Sequence, residues 1–122
     1  MKYIITTILA FLCALILCNV RGAEQGDKWT DEEIATAIWY AEGADLATYP
    51  YGIRSVKCEG LTECRQVCLN SIRNARKRWI KAGKPEDFIV FMGRRYCPPK
   101  AHPKNSNWVR LVKYFLEKHQ GD

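Results

Sequence analysis

From position 34 to position 116 the chain alternates stretches of helical hydrophobic period with short punctuated breaks. Ile34, Ala37, Ile38 and Ala41 recur at i, i+3, i+4 and i+7, which places them on one helix face. Ahead of them Thr30 and Glu33 form the capping pattern Thr-x-x-Glu, with Asp31 and Glu32 in the positively polarised first turn. Gly43, which tolerates a left-handed cap, is expected to stop this helix. A loop over 44–61 follows, with Tyr49-Pro50-Tyr51-Gly52 and then Ile53-Arg54-Ser55-Val56, the latter a candidate short strand. A long helix is expected over about 62–82, with Cys64, Cys68, Ile72, Ala75 and Trp79 as its buried stripe. Arg73, Arg76, Lys77 and Arg78 give it a basic solvent side. Gly83 caps it, Pro85 opens a third, short helix through Met92, and Gly93 ends that one. The segment 94–106, with Pro98, Pro99 and Pro103, is expected as a loop. A last helix over about 107–118 turns Trp108, Leu111, Val112, Phe115 and Leu116 inward. The fold class is mainly α: four helices and at most one short β-hairpin.

The N-terminus follows a different pattern. Lys2 precedes an apolar run over 3–18, softened only by Thr6 and Thr7, and small residues appear at Gly22 and Ala23, with Val20 two before Gly22. That is a charged, then hydrophobic, then small-residue order, and it predicts a signal peptide over 1–22 and a mature domain over 23–122. The alternative is a retained anchor. The apolar run is somewhat shorter than the roughly 20 residues a spanning helix prefers. Leu15-Ile16-Leu17-Cys18 looks like a lipid-attachment box, but Leu17 stands where a small residue is required. The expected location is therefore secreted or periplasmic. About 100 residues suit a single small domain and exclude a two-domain dinucleotide enzyme or a polytopic membrane protein. Lys2 and Arg21 fall in the leader, leaving 17 basic against 13 acidic residues, a net +4.

Cysteine usage agrees with export. Cys13 and Cys18 belong to the leader, and Cys58, Cys64, Cys68 and Cys97 remain, an even number with three pairings. Cys64 and Cys68 lie one turn apart on a helix, where a bond between them strains the geometry. Cys68–Cys97 with Cys58–Cys64 is the favoured arrangement. A zinc site is disfavoured, because there is no Cys-x-x-Cys pair and His102 and His119 lack ligand-like spacing. No metal or cofactor is expected.

The residue with the most chemical promise is Glu42. On a helical wheel it falls about 40° from Ile38, at the edge of the apolar stripe, and it is the last residue before Gly43. A carboxylate there meets the negative end of the helix dipole and a partly apolar surround, both of which favour the protonated acid that general acid catalysis needs. As a bland alternative, Glu42 is a surface residue at a helix end.

Ala41-Glu42-Gly43, then Tyr49-Pro50-Tyr51-Gly52-Ile53-Arg54-Ser55, then Cys68-Leu69-Asn70 on the long helix, resemble the lysozyme-like superfamily, particularly small transglycosylase-type domains. Gly93-Arg94-Arg95-Tyr96-Cys97-Pro98-Pro99 and Asn105-Ser106-Asn107-Trp108-Val109 resemble the later aromatic-and-asparagine segment of that superfamily, which lines the sugar groove. The resemblance covers about 34–116 and rests on the ensemble of motifs. Two departures stand out: Gly43 replaces the usual serine after the glutamate, and Ser55 stands where the usual Gly-Leu-Met-Gln has glutamine.

The resemblance implies a small lysozyme-like helical domain, disulfide-stabilised, that cleaves peptidoglycan glycan strands. It implies a single-glutamate lytic transglycosylase, in which Glu42 protonates the glycosidic oxygen and then accepts the C6 hydroxyl proton. A muramidase of the two-carboxylate kind would use Asp45, the first acidic residue beyond Gly43. A third reading is a non-catalytic wall-binding domain. Tyr51, Ser55, Asn70, Tyr96 and Asn107 are the expected sugar ligands, with Tyr51 and Tyr96 as loop aromatics that stack on sugar faces or fill the core. Trp79 and Trp108 fit the buried stripes and are read as structural. The basic residues permit contact with phosphates, but export argues against a nucleic-acid partner, and an anionic cell wall is the expected attraction. No stable membrane span is expected after signal cleavage, and the protein is expected to be a monomer.

Overall fold

The computed structural model describes residues 28–97 and 105–119; the signal-peptide expectation at 1–22, Cys13, Cys18 and the three prolines of 98–103 lie outside them. The described residues form four α-helices and two short 3-10 turns, with no strand among them. Helix α1 (Asp31–Ala41) begins as its cap demands: Glu33 N donates to Thr30 Oγ1 and Thr30 N to Glu33 Oε1, both at 3.1 Å. A cap of this kind contributes about 1 kcal/mol. The helix closes on Glu42, whose N–H donates to Ile38 O at 2.9 Å, and Gly43 follows in the left-handed region at φ 108°.

The 3-10 turns Ala44–Leu46 and Pro50–Gly52 then reverse the chain. The expected strand over 53–56 does not form. Tyr51 and Gly52 both have positive φ, 59° and 69°, and Ile53 N is consumed by Pro50 O at 3.2 Å. The segment leaves that turn as bends, without a facing strand to pair with.

Helix α2 (Gly60–Lys81) buries Cys64, Cys68, Leu69, Ile72, Ala75 and Trp79, the expected stripe with Leu69 added. Helix α3 (Phe88–Tyr96) is capped by Asp87, whose carboxylate accepts from Ile89 N at 3.0 Å and Val90 N at 3.2 Å, rather than opened by Pro85. It also runs through Gly93 to Tyr96, three residues past the expected stop. Gly93 is buried in mid-helix, and a Cβ there would stand 3.0 Å from the Trp108 ring. The glycine is a packing notch that lets the next helix approach. Helix α4 (Asn105–Lys118) starts two residues before the expected position.

Helix α1 packs against α4 and α2, and α3 closes the far side against the same two helices. Trp79, Phe88, Ile34, Ile38, Ile72 and Val112 fill the centre. The buried Trp79 indole N–H finds Glu86 O at 2.8 Å, which removes the cost of an unpaired donor. Arg76 of α2 spans to α1, donating to Asp31 Oδ1 and to Trp29 O, each at 3.1 Å.

Cys58 and Cys64 form a disulfide that ties the 53–59 segment to the first turns of α2. The other expected pairing, Cys68–Cys97, is not formed; both are thiols. The side chain that the end of α3 delivers to Cys68 is Tyr96, whose hydroxyl lies 3.8 Å from Cys68 Sγ and occupies the approach a second sulfur needs. Among the described residues no helix is long and apolar enough to cross a membrane.

Candidate active site

A cleft of about 830 Å³ opens between the end of α1, the segment 48–56, one face of α2, the end of α3 and the start of α4. Its α2 wall follows from helical period. Val67, Ser71, Asn74, Ala75 and Arg78 line it; at 100° per residue Val67, Ser71, Asn74 and Arg78 occupy one stripe beside the buried one, to which Ala75 belongs.

Glu42 lies half-buried on this cleft and is the single carboxylate among the described lining residues. Its position at the helix end is local in origin, but its carboxylate is fixed by two distant parts of the chain. The Trp108 indole N–H donates to Oε1 at 2.8 Å. On the other side the backbone of Gly52 is so close that a Cβ there would lie 2.5–2.7 Å from the carboxylate atoms. An acid held by one directed donor and one steric stop keeps a defined orientation, which is what positioned proton transfer requires.

The groups behind Glu42 stay neutral. Tyr96 donates its hydroxyl to the Tyr51 carbonyl, and its ring stacks on Trp108 with centroids 5.3 Å apart. Burial pushes the Tyr96 hydroxyl far above the ordinary tyrosine range, with Cys68 and Glu42 adding to the rise. Burial likewise pushes the Cys68 thiol up to about 11, against the lowering effect of the Tyr96 hydrogen bond. Cys97, on the cleft wall, is raised by burial and by the charge of Glu42. Tyr96 is therefore a permanent donor bracing the turn that carries Gly52.

Of the expected sugar ligands, Ser55, Tyr96 and Asn107 line the cleft. Tyr51 does not: it is buried, its ring 5.1 Å from Trp39 and its hydroxyl accepting from Arg65 at 3.4 Å. Its left-handed backbone turns the side chain into the core. Asn70 is exposed outside the cleft, with its side-chain oxygen accepting from Gln66 Nε2 at 2.9 Å. It falls about 40° beyond Asn74 on the wheel, and Asn74 lines the cleft instead. Asp45 is exposed on the first 3-10 turn and is not a lining residue, so the two-carboxylate alternative finds no second acid in the cleft among the described residues.

Sequence reasoning missed Trp108 as a partner of Glu42. Its place on the apolar face of α4 marked it as core, which it also is at 6 % exposure. Arg54, Arg78 and Arg95 were also missed as cleft residues; the α2 wheel carries a signal for Arg78. No group of three or more His, Cys, Asp or Glu side chains among the described residues is placed to hold a metal. Comparison with protein-family models, curated proteins and solved structures returned no match for this chain.

Proposed function

We propose that this chain is an exported lytic transglycosylase of peptidoglycan, of lysozyme-like type, with Glu42 as its single general acid and base. The observation that carries the reading is the single cleft carboxylate among the described residues, clamped between the Trp108 indole and Gly52. Hydrolysis by two carboxylates needs a second acid across the scissile bond, about 5–9.5 Å away. One acid suffices for the intramolecular route. Protonated Glu42 gives its proton to the oxygen between N-acetylmuramic acid and N-acetylglucosamine, and that bond breaks with the leaving sugar departing as an alcohol. The carboxylate then removes the proton of the C6 hydroxyl, whose oxygen closes on C1 as a 1,6-anhydro ring. Water is not consumed, and Glu42 ends protonated, ready for the next strand.

Ser55, Asn74 and Asn107 supply polar contacts for the glycan, and the Tyr96–Trp108 stack forms an aromatic floor. The leader-like sequence pattern over 1–22 and the Cys58–Cys64 bridge support export, since disulfides persist in oxidising compartments.

Glu42→Gln tests the assignment. It keeps a side-chain oxygen for Trp108 but removes the acid, and the rate of wall-fragment release should fall at least 10²-fold. Mass spectrometry of the fragments reads the chemistry: anhydro ends are expected. Reducing ends would make the protein a hydrolase, and no release by the wild-type protein would leave a wall-binding domain.

A further inference from the structure

A second cavity of about 480 Å³, walled in part by Pro85 and Phe91, lies beside the cleft. Arg78 of α2 and Arg95 of α3 line both spaces. Other arginines of this region are satisfied within the fold: Arg94 pairs with Glu86 at 2.7 Å, and Arg73 and Arg76 share Asp31. Arg78 and Arg95 have no carboxylate at ion-pair distance among the described residues. Two like charges thus converge at the junction of the catalytic cleft with a side cavity.

We infer that Arg78 and Arg95 bind a carboxylate of a peptide side arm of the substrate, beyond the lactyl carboxylate that a bare muramic acid also carries, so that the strand recognised is a peptide-bearing glycan and not a bare one. This rests on the reading of the cleft as a glycan site. Guanidinium groups present planar donor forks that match a carboxylate. Phe91 and Pro85 offer beside them an apolar wall suited to short aliphatic side chains, which a phosphate polymer would leave unused. Burial, and after it the charge of Arg95, lower the pKa of Arg78, and a bound anion relieves that repulsion.

The test is isothermal titration of the Glu42→Gln protein, which binds without cleaving. The probes are a disaccharide–tetrapeptide, the same disaccharide with its peptide removed, and a glycerol phosphate oligomer. The peptide-bearing probe should bind at least 10-fold more tightly than the bare sugar, with an advantage that shrinks as salt rises. Adding Arg78→Gln and Arg95→Gln should abolish the preference, while Arg78→Lys with Arg95→Lys should keep part of it and so show that charge, not folding, is responsible. Equal affinity for both sugars overturns the inference. So does a preference that survives in the Gln variant, or tightest binding to the phosphate oligomer. The two readings separate cleanly. Arginine-dependent peptide preference in a protein whose wild-type form releases no wall fragments sinks the transglycosylase and keeps the anion site. Anhydro products without peptide preference do the opposite.

Discussion

Gly52→Ala probes the clamp on Glu42 directly. The new Cβ would lie 2.5 Å from the carboxyl carbon and 2.6 and 2.7 Å from its two oxygens, whereas ordinary contact begins near 3.4 Å, so the carboxylate must retreat by about 0.9 Å. A misplacement of about 1 Å at a reacting group costs on the order of 10²-fold in rate. The backbone also suffers, because φ at this position is 69° and an L-residue in the left-handed region costs about 1–2 kcal/mol. Gly83→Ala separates the two effects. Gly83 has φ 85°, and a Cβ there meets nothing within 4 Å, so it carries the backbone cost without the clash. Both variants should melt several degrees lower, at about 4–8 °C per kcal/mol for a domain of this size. Only Gly52→Ala should lose about 10²-fold in kcat/KM for wall-fragment release, and only there should the Trp108 indole N–H resonance move as its hydrogen bond to Glu42 changes. Wild-type kcat/KM in folded Gly52→Ala would refute the clamp, as would an equal loss in Gly83→Ala.

Gly93→Ala should destabilise by about 1–2 kcal/mol through overpacking, although an interior helix glycine ordinarily gains from alanine. Its Cβ would press on Trp108 at 3.0 Å and Val109 at 3.1 Å, and the Trp108 ring is held by Glu42 and Tyr96; a raised melting temperature would contradict this. The Cys58–Cys64 bridge, with a sequence separation of 6, should contribute about 2 kcal/mol in the chain-entropy model. Cys58→Ser with Cys64→Ser should lower the melting temperature by roughly 10 °C, and non-reducing peptide mapping should find this pair linked. Cys68 links stability to alkaline pH. The unfolded thiol ionises near 9.0 and the folded one near 11, so between those values the unfolded chain holds fewer protons and stability falls as pH rises. The full loss is about 2–3 kcal/mol, it is absent below pH 9, and Cys68→Ala should flatten that part of a melting curve series from pH 8 to 11. An unchanged alkaline slope would exclude Cys68 as its source.

The sequence by itself determined those features whose causes lie within a few residues. Thr30 and Glu33 cap each other across one turn, Gly43 terminates α1 through its own φ, and the stripe from Cys64 to Trp79 repeats with the helix. Glu42 was legible for the same reason, as a carboxylate at the meeting of an apolar stripe and a helix end. The tertiary structure decided whatever depends on what stands opposite. Gly43 and Gly93 look alike as helix stops, but Gly93 is a notch for Trp108 of α4 and its helix continues. Tyr51 goes to the core because a turn directs it there, Asn70 misses the cleft by a fraction of a turn, and Tyr96, not Cys97, meets Cys68. Periodicity states which face of a helix is apolar, and a capping pattern states where the helix begins. Neither states which side chain arrives from the far end of the chain. The bond from Trp108 to Glu42 spans 66 positions, and only packing α1 against α4, with the 50–52 turn folded against α1 and α2, brings its two halves together.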